Sequence, residues 1–452
     1  MDEKSENHII LAVKGLLLTQ QPALLQVLFF KGGGSMEYQI NGERLLQNLF
    51  TMAQFGQNEG GGIDRSLGSK ADYDTREWIK SYWQDHLKVE PETDAIANLW
   101  AKHSGTEHRK PLVIGSHHDA VPDGGKYDGA MGVLIATEVL ETIVEQGILL
   151  KHPLYAISFT GEEPNPYNLS TLGSKVISGR LRKEDLFSVH NRETGESLEV
   201  TIKRLGGDIS SLENARIQPG ELAGFLEVHN ELGRHLEAQG LHLSGVSTIT
   251  GIYREEIQVY GENNHAGTTM MPDRKDAFLA LSDFAVGLNE IVGAYEDPDV
   301  VGTMGYVKVS PNEANIVPGS AVGIIDIRTC ERKTISEIVK KLDDLTEKTE
   351  KGRRVKIKRQ VLLDQPARSM DEDIINIVKE NLAKLKEPEN VMVSMAGHDA
   401  SNMQLLTKAG MIFTRSVGGK GHCKEEFTED ADVIKAGQLA LETILRMDEE
   451  LP

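Results

Sequence analysis

The segment Gly115–Val133, GSHHDAVPDGGKYDGAMGV, concentrates residues whose types and spacing suit metal chemistry. It contains His117, Asp119 and Asp128 in close succession, and an apolar run that starts at Pro111 leads directly into it. Such a run predicts a buried strand, and polar residues at the carboxyl end of a buried strand lie where open α/β sheets bind ligands. The segment therefore predicts a ligand site at one edge of a sheet.

Three further apolar runs end in residues that can bind a metal ion or move a proton. The first ends in the pair Glu162 and Glu163, the second ends in His229, and the third leads through a glycine-rich loop to His422. In an adjacent carboxylate pair, one member can bind an ion while its neighbour transfers protons. Imidazole and carboxylate ligands without thiolate suit zinc, manganese, cobalt or nickel rather than a cysteine-rich structural zinc site. Five such ligands could hold two ions if one carboxylate among them bridges both.

The order of these motifs resembles the carbamoylase and allantoate amidohydrolase branch of the M20 di-metal amidohydrolases. That branch includes N-carbamoyl-L-amino-acid hydrolases and β-ureidopropionases. The resemblance runs from Met36 to Leu451 and is carried by EGGG with Arg65, GSHHD, YDGAMGV, FTGEE, VHNELG, NNHAGTTMMPDRKDA, GTMGYVKVSPNEANIVPG, DIR, AGHDA and GGKGHCKEEFT. So many motifs in one order identify the family, whereas the substrate is a separate question.

The resemblance implies a role for each candidate metal ligand. His117 and His229 would hold one divalent ion, Glu163 and His422 would hold a second ion, and Asp128 would bridge the two. The ions would be zinc, or else manganese, cobalt or nickel.

The resemblance also implies catalytic and substrate-binding residues. Glu162 would be the general base that takes a proton from the attacking water and returns it to the departing nitrogen. Asp119 would accept the second ring N–H of His117. His265 would stabilise the oxyanion from a second domain or from a partner subunit. The residues expected to contact the substrate are Asn315, Arg328, His398 and Leu232, with Arg328 binding a carboxylate through its planar guanidinium.

Two segments beside the expected reaction centre depart from the family pattern. The family sequence HIEQG reads HNELG at 229–233, so Leu232 stands where an amide side chain is expected. The Gly-Ser-Arg run that follows the glutamate pair in the family is replaced by PNP at 164–166. We therefore expect intact hydrolytic machinery with an altered set of substrate contacts.

The remaining pattern predicts an α/β protein of two domains. Residues 36–247 and 364–452 alternate helices with short strands and predict a mostly parallel sheet. Residues 248–363 read strand–helix–strand–strand–helix–strand, which predicts an inserted ferredoxin-like α+β domain. The resemblance implies that the larger part is a di-metal aminopeptidase-like catalytic domain and that the insert is a lid through which two subunits form a homodimer.

Residues 1–35 match nothing in the family pattern. They lack the features of a signal peptide, and their apolar stretch is too short to span a bilayer. We interpret them as an upstream-translated extension that precedes a natural start at Met36. A fusion linker and a genuine additional helix are the alternatives.

Composition limits the classes of partner. A net charge of −20 over 452 residues argues against nucleic acid and anionic membranes, since both require basic surface. Two cysteines, Cys330 and Cys423, form no disulfide framework and favour a reducing cytoplasm.

The sequence thus predicts hydrolysis of a linear C–N bond in a small carboxylate-bearing substrate, such as an N-carbamoyl-L-amino acid or another ureido acid. An aminoacylase or dipeptidase is the alternative enzyme. A non-catalytic binding protein is the alternative of another class, and the retention of Glu162 with five candidate ligands argues against it.

Overall fold

The computed structural model describes residues 38–452, and the extension predicted at 1–35 lies outside them. The helices are α1 (Gly42–Met52), α2 (Lys70–Tyr82), α3 (Ala130–Glu145), α4 (Leu172–Ile177), α5 (Lys183–Leu186), α6 (Leu198–Arg204), α7 (His235–Gln239), α8 (Ala277–Gly293), α9 (Arg332–Arg353), α10 (Glu372–Lys384), α11 (Ala400–Met403) and α12 (Asp430–Glu450). The strands are β1 (Glu92–Thr93), β2 (Leu99–His103), β3 (Leu112–His117), β4 (Leu154–Phe159), β5 (Gly224–Asn230), β6 (Leu243–Ile249), β7 (Gly251–Tyr260), β8 (Asn264–His265), β9 (Val301–Ser310), β10 (Ile316–Val317), β11 (Ser320–Thr329), β12 (Lys356–Gln365), β13 (Arg368–Ser369), β14 (Val391–Ser394) and β15 (Ala409–Thr414).

The larger sheet has nine strands in the order β1-β2-β4-β3-β5-β15-β6-β13, with β14 paired to β6. Its central strands β4, β3, β5 and β15 are parallel to one another, while β2 and β6 flank them antiparallel. Every residue of β3, β5 and β15 is buried, as expected for strands covered on both faces. The predicted mixed α/β fold with a mostly parallel central sheet is confirmed.

The parallel register brings the strand ends together. His117 at the end of β3 is level with Phe159 at the end of β4, and His229 near the end of β5 is level with Phe413 on β15. Segments that follow these strands therefore meet at one edge of the sheet. This is the carboxyl edge, where open α/β sheets place their ligands.

Helix α3 lies against this sheet and is buried along nearly its whole length. Its two buried carboxylates, Glu138 and Glu141, are paired with Arg44 of α1 at 2.8 and 3.0 Å. Helix α1 begins after Asn41, whose side chain accepts a hydrogen bond from the Arg44 N–H and so caps the helix. The pairing supplies the charge compensation that buried carboxylates require.

A second sheet has four antiparallel strands in the order β12-β7-β11-β9. Along the chain its elements follow as β7, α8, β9, β11, α9 and β12. Alternate residues of β11 are buried, because one face of the sheet packs on α8 and α9 around a separate apolar core. Among the described residues, no helix is both long and apolar enough to cross a membrane.

Candidate metal centre

Two groups of metal-binding side chains share the carboxylate of Asp128. One group combines Asp128 with His117 and His229, and the other combines it with Glu163 and His422. In the first group, Oδ1 of Asp128 lies 3.7 Å from Nε2 of His117 and 3.1 Å from Nε2 of His229. In the second, Oδ2 of Asp128 lies 3.3 Å from Nε2 of His422. The two oxygens of one carboxylate thus face two different ligand groups.

These separations fit a pair of divalent ions. Ligands bound to zinc at about 2.0–2.1 Å in a tetrahedron lie about 3.3 Å from one another. Asp128 Oδ2 and Glu163 Oε1 are buried and have no hydrogen-bond partner in the described part of the chain. His422, whose side chain is 50% exposed, places Nε2 3.5 Å from this Glu163 oxygen. Buried oxygens without a hydrogen bond need a positive group, and a divalent cation supplies it.

Backbone contacts orient the two buried histidines. The Nδ1 atom of His117 lies 3.1 Å from the carbonyl of Asp119, and that of His229 lies 2.9 Å from the carbonyl of Asn230. Donation from Nδ1 leaves Nε2 of each ring free to bind a metal. Gly129, with φ of +61°, lies against His117, and a Cβ there would come within 2.2 Å of the ring. Glycine is required at this position both by its backbone conformation and by the close contact.

Asp119 holds the glutamate pair in place. Its carboxylate accepts hydrogen bonds from the N–H groups of Glu162 and Glu163, both at 3.1 Å. The carboxylate oxygen nearest the His117 ring is 3.6 Å from Nδ1, farther than the carbonyl oxygen of the same residue. Asp119 therefore acts on the site mainly through the turn after β4.

Glu162 lies beside the two ligand groups without belonging to either. Its Oε2 is 3.8 Å from Nε2 of His117. Burial, followed by the charges of Asp399 and other carboxylates, raises the pKa of Glu162 well above its ordinary value despite the opposing charge of His117. Burial also opposes ionisation of Asp128, but the nearby imidazoles of His229 and His422 outweigh it and hold its pKa well below the ordinary range. The two carboxyl groups are thus set for different tasks.

Two buried acids at the site were not predicted from the sequence. Glu426 accepts hydrogen bonds from the N–H groups of Tyr127 and Asp128, at 3.1 and 2.9 Å, and so holds the loop of the bridging carboxylate. Asp399 accepts a hydrogen bond from Ser174. Glu426 lies in the motif GGKGHCKEEFT and Asp399 lies in the motif AGHDA. Their place in these motifs was the sequence feature that could have indicated a role at the site.

A second unpredicted feature is a buried network behind His117. The ring of His118 contacts Ser158 Oγ at 2.6 Å and Asp72 Oδ1 at 2.8 Å, and Arg76 also pairs with Asp72 at 2.6 Å. Arg65, fully buried, donates to the carbonyl of His118 at 2.6 Å. The network fixes the backbone between His117 and Asp119.

Two of the residues expected to contact the substrate lie near the histidines. His398 is 2% exposed, its ring packs edge-on against that of His229 at 4.6 Å, and its Nε2 lies 2.8 Å from Ser394 Oγ. Burial lowers the pKa of His398 well below its usual value. Arg328 on β11 donates from Nη1 to the carbonyl of Met395 at 2.7 Å, in the loop that leads to His398.

Asn315, a third residue expected to contact the substrate, and His265, the residue expected to stabilise the oxyanion, are both exposed and lie together at the short pairing of β8 with β10. The N–H of Ala266 donates to the carbonyl of Asn315 at 2.9 Å. The Nδ1 atom of His265 accepts from the N–H groups of Gly267 and Thr268 at 3.0 and 3.2 Å. Within residues 38–452, the hydrogen bonds of His265 stay inside its own loop and do not reach the metal ligands.

The two segments that depart from the family pattern touch the site from outside. Leu232, with φ of 58°, donates its N–H to Ser416 Oγ at 3.0 Å. Its side chain packs against Gly421, next to His422. A Cβ added to Gly421 would come within 2.5 Å of the Leu232 side chain. In the 164–166 segment, Asn165 donates to the carbonyl of Glu163 at 3.1 Å and supports the turn of that ligand.

Comparison with known proteins finds amidohydrolases similar to this chain. The chain is 29% identical to an N-carbamoyl-L-amino acid amidohydrolase of Geobacillus stearothermophilus, over 90% of this chain and 99% of that protein. It is 31% identical to an allantoate amidohydrolase of Bacillus subtilis, over 87% of this chain and 94% of that protein. The crystal structure of an amidase of the hydantoinase/carbamoylase family from Burkholderia multivorans superposes with a TM-score of 0.83 at 26% identity, over 92% of this chain and all of that one.

Residues 113–446 match the family described as Peptidase family M20/M25/M40. This match includes all but the first residue of β3, together with the glutamate pair, all five candidate metal ligands and the four-stranded sheet. The chain therefore belongs to peptidase family M20.

Proposed function

We propose that the protein is a metal-dependent amidohydrolase that cleaves a linear, non-peptide C–N bond in a small carboxylate-bearing substrate, with an N-carbamoyl-L-amino acid or a related ureido acid as the substrate class. The observation that carries the proposal is the shared carboxylate of Asp128 between two ligand groups, with the carboxyl of Glu162 beside them. The similar proteins named above act, by their names, on N-carbamoyl amino acids and on allantoate.

The five ligands would hold two divalent ions, zinc or else manganese, cobalt or nickel. When bound, such ions supply Lewis-acid polarisation of the substrate carbonyl and activation of water. Glu162 takes the proton of the attacking water on its carboxylate and delivers it to the nitrogen that departs. Its raised pKa keeps that proton on the carboxyl until the leaving nitrogen accepts it.

Substrate recognition would come mainly from residues 248–363, which include the four-stranded sheet and the β8–β10 pairing. Arg328 offers a planar guanidinium for the substrate carboxylate, and its link to the Met395 carbonyl holds it next to the His398 loop. Asn315 and His265 lie on the exposed β8–β10 pairing, where His265 is free to donate to an oxyanion. The substrate contact of His398 stays a prediction.

We further propose a division of labour between the two sheets. Residues 36–247 and 364–452 would form the catalytic domain, and residues 248–363 a ferredoxin-like lid that also pairs two subunits. The separate apolar core of the four-stranded sheet supports this division. The strand order β12-β7-β11-β9, with both helices on one face, supports the ferredoxin-like assignment.

A second candidate is an aminoacylase or dipeptidase activity. The observation that favours it is Leu232, which offers apolar surface beside the His422 loop where related enzymes offer an amide. An apolar wall suits an acyl group better than a ureido group, because it cannot hydrogen-bond the ureido nitrogen.

One assay separates these functions. The protein loaded with zinc, manganese, cobalt or nickel is incubated with N-carbamoyl, N-formyl and N-acetyl amino acids, allantoate and dipeptides, and released ammonia or amino acid is measured. Release from the N-carbamoyl or ureido substrates supports the leading proposal, and release from N-acetyl substrates or dipeptides alone supports the second. No release with any metal would contradict both.

A further inference from the structure

A chain of hydrogen bonds between a serine, a histidine and an aspartate lies next to the candidate ligand His117. Because a carboxylate only accepts, Nε2 of His118 donates to Asp72 Oδ1, at 2.8 Å, and Nδ1 of the same ring accepts from the Ser158 hydroxyl, at 2.6 Å. These are the residue types of a nucleophilic triad. All three side chains are fully buried, so no substrate reaches the hydroxyl and the chain of bonds acts on the protein itself.

Asp72 is the fixed end of this chain. It lies in the first turn of α2, where its carboxylate also accepts from Arg76 Nε at 2.6 Å and from the N–H of Gly68 at 2.7 Å. A buried carboxylate that accepts from a guanidinium and two further donors loses charge-assisted contacts if it rotates. Asp72 therefore gives the His118 ring a rigid partner.

His118 lies between two residues that organise the candidate site. His117, before it, is a candidate metal ligand, and Asp119, after it, accepts the N–H groups of the glutamate pair. The carbonyl of His118 is held as well, because it accepts from Nε of Arg65 at 2.6 Å. A fixed His118 ring thus fixes the backbone that carries the ligand on one side and the support of the glutamate pair on the other.

Arg76 joins the same anchor to the strand that precedes the glutamate pair. Its Nη2 donates to Thr160 Oγ1 at 3.2 Å, and Thr160 lies between β4 and Glu162. Ser158, the other partner of the His118 ring, lies on β4 itself. The anchor in α2 therefore holds the end of β3 and the end of β4 in one relative position.

We propose that His118 is a positioning residue for the metal centre, which through its bond to Asp72 holds the His117 ring and the Asp119 turn in the geometry that binds the ions. Loss of this bond would leave all five candidate ligands present but would let the end of β3 move. Groups that orient a metal ligand without binding the ion change metal affinity by about 10–100-fold. This inference rests on the proposed function, because the proposed reaction uses the centre that His118 positions.

A simpler role for His118 would be to stabilise the fold, as any buried and hydrogen-bonded side chain does. That role lowers the unfolding free energy of the metal-free protein and leaves the metal affinity of the folded protein unchanged. Positioning lowers the metal affinity of protein that is fully folded. Measuring both quantities on the same variants therefore separates the two roles.

The test uses a series of substitutions at His118. In His118→Gln the amide nitrogen lies near the place of Nε2 and still donates to Asp72, whereas in His118→Asn it lies near the place of Nδ1 and does not reach Asp72. His118→Leu removes both contacts. Zinc is titrated calorimetrically into each metal-free protein with a competing chelator present, and urea unfolding measures stability. We expect the affinity for at least one zinc ion to fall by about 10–100-fold in His118→Asn and His118→Leu, and by less than about threefold in His118→Gln.

His152→Asn is the matched control. His152 is also fully buried, and its Nδ1 lies 2.6 Å from the carbonyl of Lys110. It precedes β4, at the end of the sheet opposite to the metal centre. This substitution should lower the unfolding free energy and leave the zinc affinity unchanged.

Equal zinc affinity in His118→Asn and the unmodified protein would overturn the positioning role. An equal loss in His118→Gln and His118→Asn would also overturn it, since only the first keeps the contact with Asp72. Should His118→Leu fail to fold, the other two variants decide. Zinc binding needs no turnover, so if no substrate is hydrolysed and the affinities follow the expected order, the proposed reaction is wrong and the positioning role stands. An unmodified protein that binds no zinc contradicts both.

Discussion

Glu162 and Glu163 are neighbours in the chain, yet the structure turns their carboxylates to different tasks. Glu163 directs Oε1 toward His422, at 3.5 Å, whereas Glu162 directs Oε2 toward His117, at 3.8 Å. Asp119 makes this divergence possible, because one carboxylate accepts both backbone N–H groups and fixes the turn. Burial raises the pKa of both glutamates, so each carboxylate favours a neutralising partner: a metal ion would supply it at Glu163, and the proton taken from water would supply it at Glu162.

Glu162→Gln should leave the metal content unchanged and lower kcat by about 10²–10⁴-fold. The amide fits the same space but cannot take a proton, and a general base contributes about this much to a hydrolytic step. Metal content is measured by elemental analysis, and kcat by release of the product. Near-normal turnover at full metal occupancy would show that Glu162 is not the base. Glu163→Gln is the matched comparison, because it should reduce the metal content.

Leu232→Gln should shift the ratio of kcat/KM for N-carbamoyl over N-acetyl substrates upward by about tenfold. The introduced amide can hydrogen-bond the ureido group, and a net gain of about 0.5–1.5 kcal/mol corresponds to a change of this order. Both substrates are assayed on both proteins at equal metal content. An unchanged ratio would mean that Leu232 only packs against Gly421, and it would point to the 164–166 segment as the determinant.

Single residues were predictable where their position follows from a strand end. The five candidate ligands each follow an apolar run, and parallel strands bring their carboxyl ends together without further information. Asp399 and Glu426 could not be assigned in this way. The Ser174 hydroxyl that contacts Asp399 is 225 positions away in the chain. The role of Glu426 becomes visible only in the folded chain, where its carboxylate accepts a hydrogen bond from the N–H of Asp128.

At the scale of elements, Asp399 joins α11 to α4. Burial, and then the charge of Glu227, raises the pKa of Asp399 to about 8. A raised folded-state pKa stabilises the fold fully below the unfolded value, about 4, and this contribution is lost as pH rises toward 8. In metal-free protein, Asp399→Asn should therefore flatten the fall of unfolding free energy between about pH 4 and 8, by up to about 1.4 kcal/mol per pH unit.

Urea unfolding of the metal-free protein over this pH range measures the effect. Asp344→Asn, at an exposed position of α9, is a control that makes the same chemical change away from the buried site. If Asp399→Asn and the unmodified protein lose stability in parallel, the carboxyl of Asp399 does not titrate with folding. The α4–α11 contact would then owe its stability to the neighbouring hydrogen bonds alone.

Local pattern predicted the elements themselves closely but not their pairing. The apolar run that ends in the glutamate pair is β4, Leu154–Phe159, and the first helix predicted within residues 248–363 is α8, Ala277–Gly293. The short strands β1 and β13 were not predicted, because a strand of 2 residues leaves no periodic signal. The antiparallel pairing of β6 with β15 was also not predicted, because it depends on where the chain enters and leaves the four-stranded sheet.

At the scale of the whole molecule, the proposed site draws on two parts of the chain. The candidate metal ligands and Glu162 lie at the carboxyl edge of the nine-stranded sheet, whereas the exposed residues His265 and Asn315 lie at the separate β8–β10 pairing. Two arrangements could complete the site: the lid of the same chain could close over it, or a partner subunit could supply His265. In the first arrangement, Glu162 and His265 of one site belong to the same chain. In the second, they belong to different chains.

A heterodimer of one Glu162→Gln chain and one His265→Ala chain distinguishes the two arrangements. If His265 acts across the interface, the His265→Ala chain keeps its own Glu162 and borrows His265 from its partner. One of the two sites then works, and the doubly tagged heterodimer should have about half the activity of the unmodified dimer. If His265 acts within its own chain, both sites are defective and the activity should fall to that of the two homodimeric variants.

A second heterodimer gives the opposite outcomes. It combines an unmodified chain with a chain that carries both substitutions. Action across the interface leaves neither site complete, because the unmodified chain lacks a partner His265 and the other chain lacks Glu162. Action within one chain leaves one complete site and about half the activity. Isolation of a monomer in place of either heterodimer would contradict the proposed homodimer, and the closing lid of the same chain would then have to deliver His265 to the metal centre.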